Sequence, residues 1–142
     1  MRIRLIAAGD RLPGWIDAGV AEYARRFSRG LKFELVEIPL VRAERMSAAI
    51  GDGDYVVALE VDGRAMTTPQ LAVWLAARMK DGRDVAFLVG GPDGLDRGLS
   101  KGADFRWSLS PLTWPHGLVR VMVAEQLYRA HSLLQGHPYH RA

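Results

Sequence analysis

The sequence contains no cysteine. Disulfides and thiolate metal sites are therefore excluded, and a reducing cytoplasm is the expected compartment. No run approaches the roughly 18 apolar residues of a membrane-spanning helix. Met1-Arg2-Ile3-Arg4 is not followed by the long apolar stretch of a secretory leader, so no signal peptide is expected. Lysine is scarce too. Lys32, Lys80 and Lys101 stand among 19 basic residues, and the rest are arginine. Arginine forks suit phosphate and guanine edges, although a GC-rich genome also enriches arginine codons. A net charge of +3 is too small to indicate nucleic acid by itself. What is present is a chain of 142 residues, 49% of them hydrophobic, enough for one globular domain over 1–142 with a real core. All four histidines, His116, His131, His137 and His140, fall near the C-terminus, and the titratable chemistry is concentrated there.

The hydrophobic pattern alternates between two periods. Met1–Ala8, Phe33–Ile38, Tyr55–Val61, Asp84–Val89 and Phe105–Leu109 read as strands, the third and fourth apolar enough to be covered on both faces. Residues 9–14 and Asp62-Gly63 read as turns. Trp15–Phe27 reads as an amphipathic helix, Val41–Ile50 as a short helical stretch, and Leu95–Lys101 as another. Thr67, Thr68 and Pro69 open a helix that ends at Asp81-Gly82. The last helix covers about Leu118–Leu134. Strands alternating with helices predict an α/β domain with a mostly parallel sheet and helices on both faces.

In such sheets ligands bind beyond the carboxyl ends of the strands. The loops after Leu59, Val89 and Leu109 qualify. Gly90-Gly91-Pro92-Asp93-Gly94 allows close approach of backbone to ligand, but it matches neither the dinucleotide fingerprint nor a P-loop. Ser108–His116 is stiff and apolar, suited either to holding an adenine or to being a buried connection. In the last helix, Leu118, Val121, Met122, Leu127, Leu133 and their neighbours spread around most of the circumference. That pattern asks for cover on two sides, and a second copy of the chain is the expected second cover. Arg120, Glu125 and Arg129 are its charged exceptions, suited to pairing or to facing an anionic ligand.

Asp84–Leu95 (DVAFLVGGPDGL), Trp107–Arg120 (WSLSPLTWPHGLVR) and His137–Arg141 (HPYHR), in that order, resemble the RlmH family. These are bacterial 23S rRNA pseudouridine-N3 methyltransferases of the SPOUT superfamily. Ile6–Phe27 and Phe33–Pro39 fit the same pattern, so the resemblance spans nearly the whole chain. It implies a C-terminal trefoil knot, which no periodicity would predict. It also implies S-adenosylmethionine held by Leu59, Gly90 and the stretch Leu109, Ser110, Pro111, Leu112, Thr113 and Trp114, and Gly91 of the same glycine turn is expected to join them. A homodimer joined through the last helix is implied, with 23S rRNA of the assembled 70S ribosome as substrate. The departure from the family lies in Arg42–Asp54, a short remnant where relatives carry a longer, Lys/Glu-rich helix.

Methylation of an imide nitrogen needs in-line geometry and removal of a proton. His140 and Arg141, with Tyr139 to stack on the base and His116 beside the cofactor loop, are the candidates for base and proton. Glu125 and Arg129 are secondary ones. No metal and no membrane contact is expected. Two other functions stay open at this point: a non-catalytic ribosome-binding module of the same fold, and a knotted methyltransferase acting on tRNA.

Overall fold

The computed structural model describes residues 1–9 and 12–141, with His140 and Arg141 described by backbone alone. Five strands, β1 (Arg2–Ala8), β2 (Lys32–Ile38), β3 (Tyr55–Ala65), β4 (Val85–Val89) and β5 (Phe105–Ser108), form one sheet. Its order is β2-β1-β4-β3-β5 and every pairing is parallel. The helices are α1 (Gly14–Ala24), α2 (Thr68–Asp81), α3 (Arg97–Gly102) and α4 (His116–Leu134). Two 3-10 segments, Leu40–Ala49 and Pro138–Arg141, complete the described chain. The turn expected over 9–14 includes Asp10 and Arg11, which lie outside the described residues.

β4 is buried at all five positions because it lies between β1 and β3 and is covered on both faces. An unbroken apolar run is what that position demands. On one face Leu5, Phe87, Val57 and Trp107 pack with Val20 of α1, Leu71 and Leu75 of α2, and Val123 and Leu127 of α4. On the other face Ile6, Ala86 and Leu88 meet Met46 of the first 3-10 segment, with Leu95 and Leu99 packed beside them. Helices therefore lie on both faces, but the second layer is thinner. α2 is fixed at both ends by local chemistry. The Thr67 side chain accepts from Gln70 N at 3.2 Å while Thr67 N donates to Gln70 Oε1 at 2.9 Å, and Gly82 closes the helix at φ 82°.

Three expectations need correction. β3 does not stop at Val61 with a turn at Asp62-Gly63; it runs on to Ala65. Leu59 and Arg64 both pair with Trp107, so 60–63 form an irregular excursion within the strand. α4 begins at His116 rather than Leu118, which puts His116 in its first turn. The third concerns the cover of α4. Its Val123, Ala124, Leu127 and Ala130 enter the core, while α1 and α2 flank it. Gly19 lies so close to Val121 that a Cβ there would sit 3.3 Å from the valine methyls, and Thr68 Oγ1 donates to Gln126 Oε1 at 2.9 Å. The chain's own helices supply much of the second cover that had been assigned to a partner. What they leave is a half-buried strip of Val121, Met122, Glu125, Gln126 and Arg129.

His131 is 2% exposed, stacks on Phe27 with ring centroids 5.9 Å apart, and contacts Ser28 O through Nε2 at 3.0 Å. Burial pushes its pKa down, against the opposing pull of the Ser28 hydrogen bond. The unfolded chain takes up this proton near pH 6.5, the folded chain only at lower pH. Stability is thus complete above about 6.5 and is lost as pH falls below it. His131→Gln should make the loss of stability between pH 7 and 5 measurably smaller in urea melts. Equal slopes in the two proteins would assign the acid sensitivity to other groups.

Candidate active site

The carboxyl ends of β3, β4 and β5 surround a cavity of about 540 Å³. β3 contributes Leu59, Glu60, Val61 and Asp62; β4 runs in through Val89 to Gly90, Gly91 and Gly94; β5 leads from Trp107 into Leu109, Ser110, Leu112, Thr113 and Trp114. His116 and Val119 of α4 and Arg97 and Ser100 of α3 close the rest. Of the residues expected to hold the cofactor, all but Pro111 line this one cavity. Pro111 is exposed in the loop outside it.

Each wall has a local cause. After β4, Gly94 N donates to Gly91 O at 2.9 Å and Gly94 takes φ 78°, so the chain folds back on itself. Gly90 sits under that fold: a Cβ there would lie 2.6 Å from Leu95 N and against the Gly94 carbonyl. The glycine requirement at 90 is therefore set by the turn's own backbone, where the sequence had suggested close approach of a ligand. After β5, Ser108 Oγ donates to Ser110 O at 3.0 Å and Leu112 N donates to Ser110 Oγ at 3.0 Å. Two hydroxyls thus hold a loop that has no ladder partner. The indole N–H groups of Trp107 and Trp114 are buried and have no hydrogen-bond partner among the described residues. An unsatisfied buried donor is costly, so each of these indoles carries a penalty that the rest of the fold offsets.

Charge at the rim was not foreseen from the sequence. Arg106 Nε donates to Glu60 Oε2 at 2.7 Å and Nη2 donates to Asp62 Oδ1 at 2.8 Å. The Glu60 hydrogen bond, then that of Asp62, raises the Arg106 pKa and keeps it charged. The E-x-D alternation of Glu60 and Asp62 before Gly63 was the available signal, hidden by reading Asp62-Gly63 as a turn.

The tail candidates lie elsewhere. Tyr139 does not line the cavity. Its hydroxyl donates to Tyr23 Oη at 3.3 Å, and its ring centroid is 4.8 Å from that of Tyr128. The Arg129 guanidinium lies 4.9 Å from the same ring, and Arg129 Nε donates to Glu125 Oε1 at 2.7 Å. Burial first, then the Tyr23 hydrogen bond, pushes the Tyr139 pKa up, so its hydroxyl stays protonated at neutral pH. Tyr23, Met122, Glu125, Arg129 and Tyr139 line a separate groove along α4. The side chains of His140 and Arg141 lie outside the described residues. Within one chain the structure therefore brings His116 to the cavity and leaves Tyr139 away from it.

The family model described as "Predicted SPOUT methyltransferase" matches residues 1–140. The chain belongs to the SPOUT methyltransferases. This SPOUT chain is 56% identical to a protein of Alkalilimnicola ehrlichii named ribosomal RNA large subunit methyltransferase H, with all of both chains covered. It is 49% identical to the protein of that name from Hahella chejuensis, covering 99% of each. Among solved structures, a probable methylase family protein from Haemophilus influenzae superposes with a TM-score of 0.64 at 11% identity, over 96% of this chain and 69% of that one. The SpoU methyltransferase AviRb from Streptomyces viridochromogenes, solved with AdoMet, gives 0.52 at 12% identity, over 90% and 57%. At such identities the structural matches speak for the SPOUT fold alone.

Because the turn leaves no room for a methyl at 90, Gly90→Ala should open the Gly90–Leu95 wall while leaving the helices intact. Calorimetry should then show S-adenosylmethionine affinity reduced by about tenfold or more, with a far-UV spectrum like wild type and a melting temperature lower by a few degrees. Unchanged affinity would show that this wall is not part of the binding site.

Proposed function

We propose that this chain methylates 23S ribosomal RNA in the assembled ribosome, taking the methyl group from S-adenosylmethionine and placing it on N3 of a pseudouridine. The observation that carries this reading is the end-to-end identity with large-subunit rRNA methyltransferases, 56% in the A. ehrlichii protein. The choice of N3 and pseudouridine rests on the three C-terminal motifs. The cavity suits the cofactor: its volume accepts a nucleoside, Leu59, Leu109 and Leu112 offer apolar walls, and the glycine turn at Gly90, Gly91 and Gly94 brings backbone to its edge.

When bound, the cofactor supplies an electrophilic methyl group on a sulfonium. The chain's task is to hold the base nitrogen in line with it and to take away the N3 proton. The leucine walls exclude water from the transfer. His116, in the first turn of α4 beside the cavity, would accept that proton. Tyr139, His140 and Arg141 complete the site from a second copy of the chain, because Tyr139 does not reach the cavity of its own chain. The half-buried strip on α4 is the surface through which two copies join, in the cytoplasm where ribosomes reside. We also assign the C-terminal part to a trefoil knot. The assignment rests on the family resemblance; the close approach of 60–63 to β5, where a Cβ at Gly63 would come within 2.8 Å of the Arg106–Trp107 backbone, is compatible with such a path.

Two experiments test this. Truncation after Gly136 should leave S-adenosylmethionine binding nearly intact while methylation of ribosomes falls by about a hundredfold or more, since cofactor binding and base positioning are separate terms. A truncated protein working at the wild-type rate would reduce the tail to a spectator. Met122→Asp should convert a dimer to monomers in sedimentation, or leave the protein insoluble. A wild type that sediments as a monomer at micromolar concentration would remove the second copy from the site. A chain that bound no S-adenosylmethionine at all would instead be a ribosome-binding module of the same fold.

A further inference from the structure

Arg120 is the largest side chain wholly withdrawn from solvent among the described residues. Nη1 donates to Glu37 Oε2 at 2.8 Å, and the Glu37 side chain at the end of β2 is half exposed. Nε and Nη2 are buried with no hydrogen-bond partner among the described residues. A buried guanidinium satisfied on one edge destabilises a fold relative to an apolar side chain of equal length, so packing alone does not account for it.

Two further elements meet the unpaired edge. Gly9 follows β1, and a Cβ there would lie 2.7 Å from Arg120 Nη2 and 3.6 Å from the His116 ring. His116 precedes Arg120 by one turn on the same face of α4 and lines the cavity. The guanidinium, the Gly9 backbone and the imidazole are thus packed with no room for a methyl group between them. The Nη1 ion pair ties this unit to β2, and Gly9 N donates to Ile38 O at 3.0 Å, tying it to the same strand a second time.

We infer that Arg120 is a positioning residue for methyl transfer: it clamps the end of β2, the Gly9 backbone and His116 into one arrangement, holding the His116 ring toward the base bound beside the cavity. This rests on reading the chain as an rRNA methyltransferase with His116 at its site. Arg120 itself has no exposed surface and acts through its neighbours.

Arg120→Met keeps the length and removes the charge. Its melting temperature should equal or exceed that of wild type, and S-adenosylmethionine affinity should stay within about threefold, because no cavity wall is removed. The kcat on ribosomes should fall by about 30-fold or more with a smaller change in KM, and Arg120→Lys should recover part of it. Gly9→Ala keeps the charge and forces a methyl against Nη2, so it should lower kcat in the same way, and it decides the question if Arg120→Met fails to fold. A readout independent of catalysis is the imidazole NMR spectrum, with the His116 signal assigned by its loss in His116→Gln. In both variants that signal should move or split while those of His131 and His137 stay in place. A His116 signal unmoved in both, an unchanged kcat, or parallel loss of melting temperature, cofactor affinity and activity would overturn the inference. Wild-type protein that leaves ribosomal RNA unmethylated while the His116 signal still moves would instead defeat the functional reading and leave the clamp standing.

Discussion

Leu59 and Arg64 both lie opposite Trp107, so the four residues between them have no place in the β3–β5 ladder. They must leave the plane of the sheet and return to it. The return is possible because residue 63 is glycine, whose Cβ position is occupied by the backbone of Arg106 and Trp107. The excursion carries Glu60 and Asp62 to the same partner, Arg106, which reaches across the seam to both. The carboxyl ends of β3, β4 and β5 border one cavity, and residues 60–62 of the excursion line it. The positions of Leu59, of the Gly90 turn and of the Leu109–Trp114 loop relative to one another are set by the ladders just before the excursion, where Ala58 pairs with Leu88 and Leu59 with Trp107.

The two layers over the sheet differ in weight, and the site uses the difference. α1, α2 and α4 cover one face with a continuous core, while the 3-10 segment and α3 cover the other through a few buried residues such as Ile6, Met46 and Leu88. The Gly90–Leu95 turn belongs to the lighter side and forms a wall shared by two cavities, the second lined by Leu40, Met46 and Leu99. Leu40 packs over Gly91 there, its methyl 2.5 Å from where a Cβ would stand, so a side chain at 91 would displace it. A turn with few buried contacts opens at lower free energy than the core beneath it. That suits a wall that a ligand entering the cavity would have to pass, whereas α4 lies on the side with the larger core.

The sheet, its parallel sense and nearly every helix were legible because period-2 and period-3.6 patterns are long here and are punctuated by Gly, Pro and Thr caps. Leu59, the Gly90 loop and the Leu109 loop could be named because the carboxyl ends of parallel strands are where α/β ligands sit. What escaped were effects of distant backbone. Asp62-Gly63 has the spelling of a turn, and nothing local reveals that β5 lies against it. Gly90 was legible as a position without a side chain, but the reason, its own Gly94 carbonyl, exists only once the turn is closed. The apolar circumference of α4 does not by itself tell cover by the chain's own helices from cover by a second copy. It includes residues such as Val123 and Leu127 that the chain's own sheet and helices bury. Arg120 sits in that same apolar helix as a single charged letter, and its full burial follows from the convergence of β1, β2 and α4, which are far apart in sequence.

The separation of the two candidate groups within one chain has a mechanistic consequence. His116 stands at the N-terminal turn of α4, whereas Glu125, Arg129 and Tyr139 gather along its later turns around Tyr23 and Tyr128. A helix rises 1.5 Å per residue, so the nine residues from His116 to Glu125 place their backbones roughly 13 Å apart along α4. A base held in line with a methyl group in the cavity cannot be reached across that distance by side chains rooted at the far end of the same helix. If both ends of α4 serve one reaction, they must come from different copies, with two α4 helices packed so that the tail end of one lies over the cavity end of the other. A two-fold axis does this without further constraint, because the contact that brings one tail to one cavity necessarily brings the second tail to the second cavity. Val121 and Met122, both half-buried, lie on α4 between His116 and Glu125, where such an axis would pass.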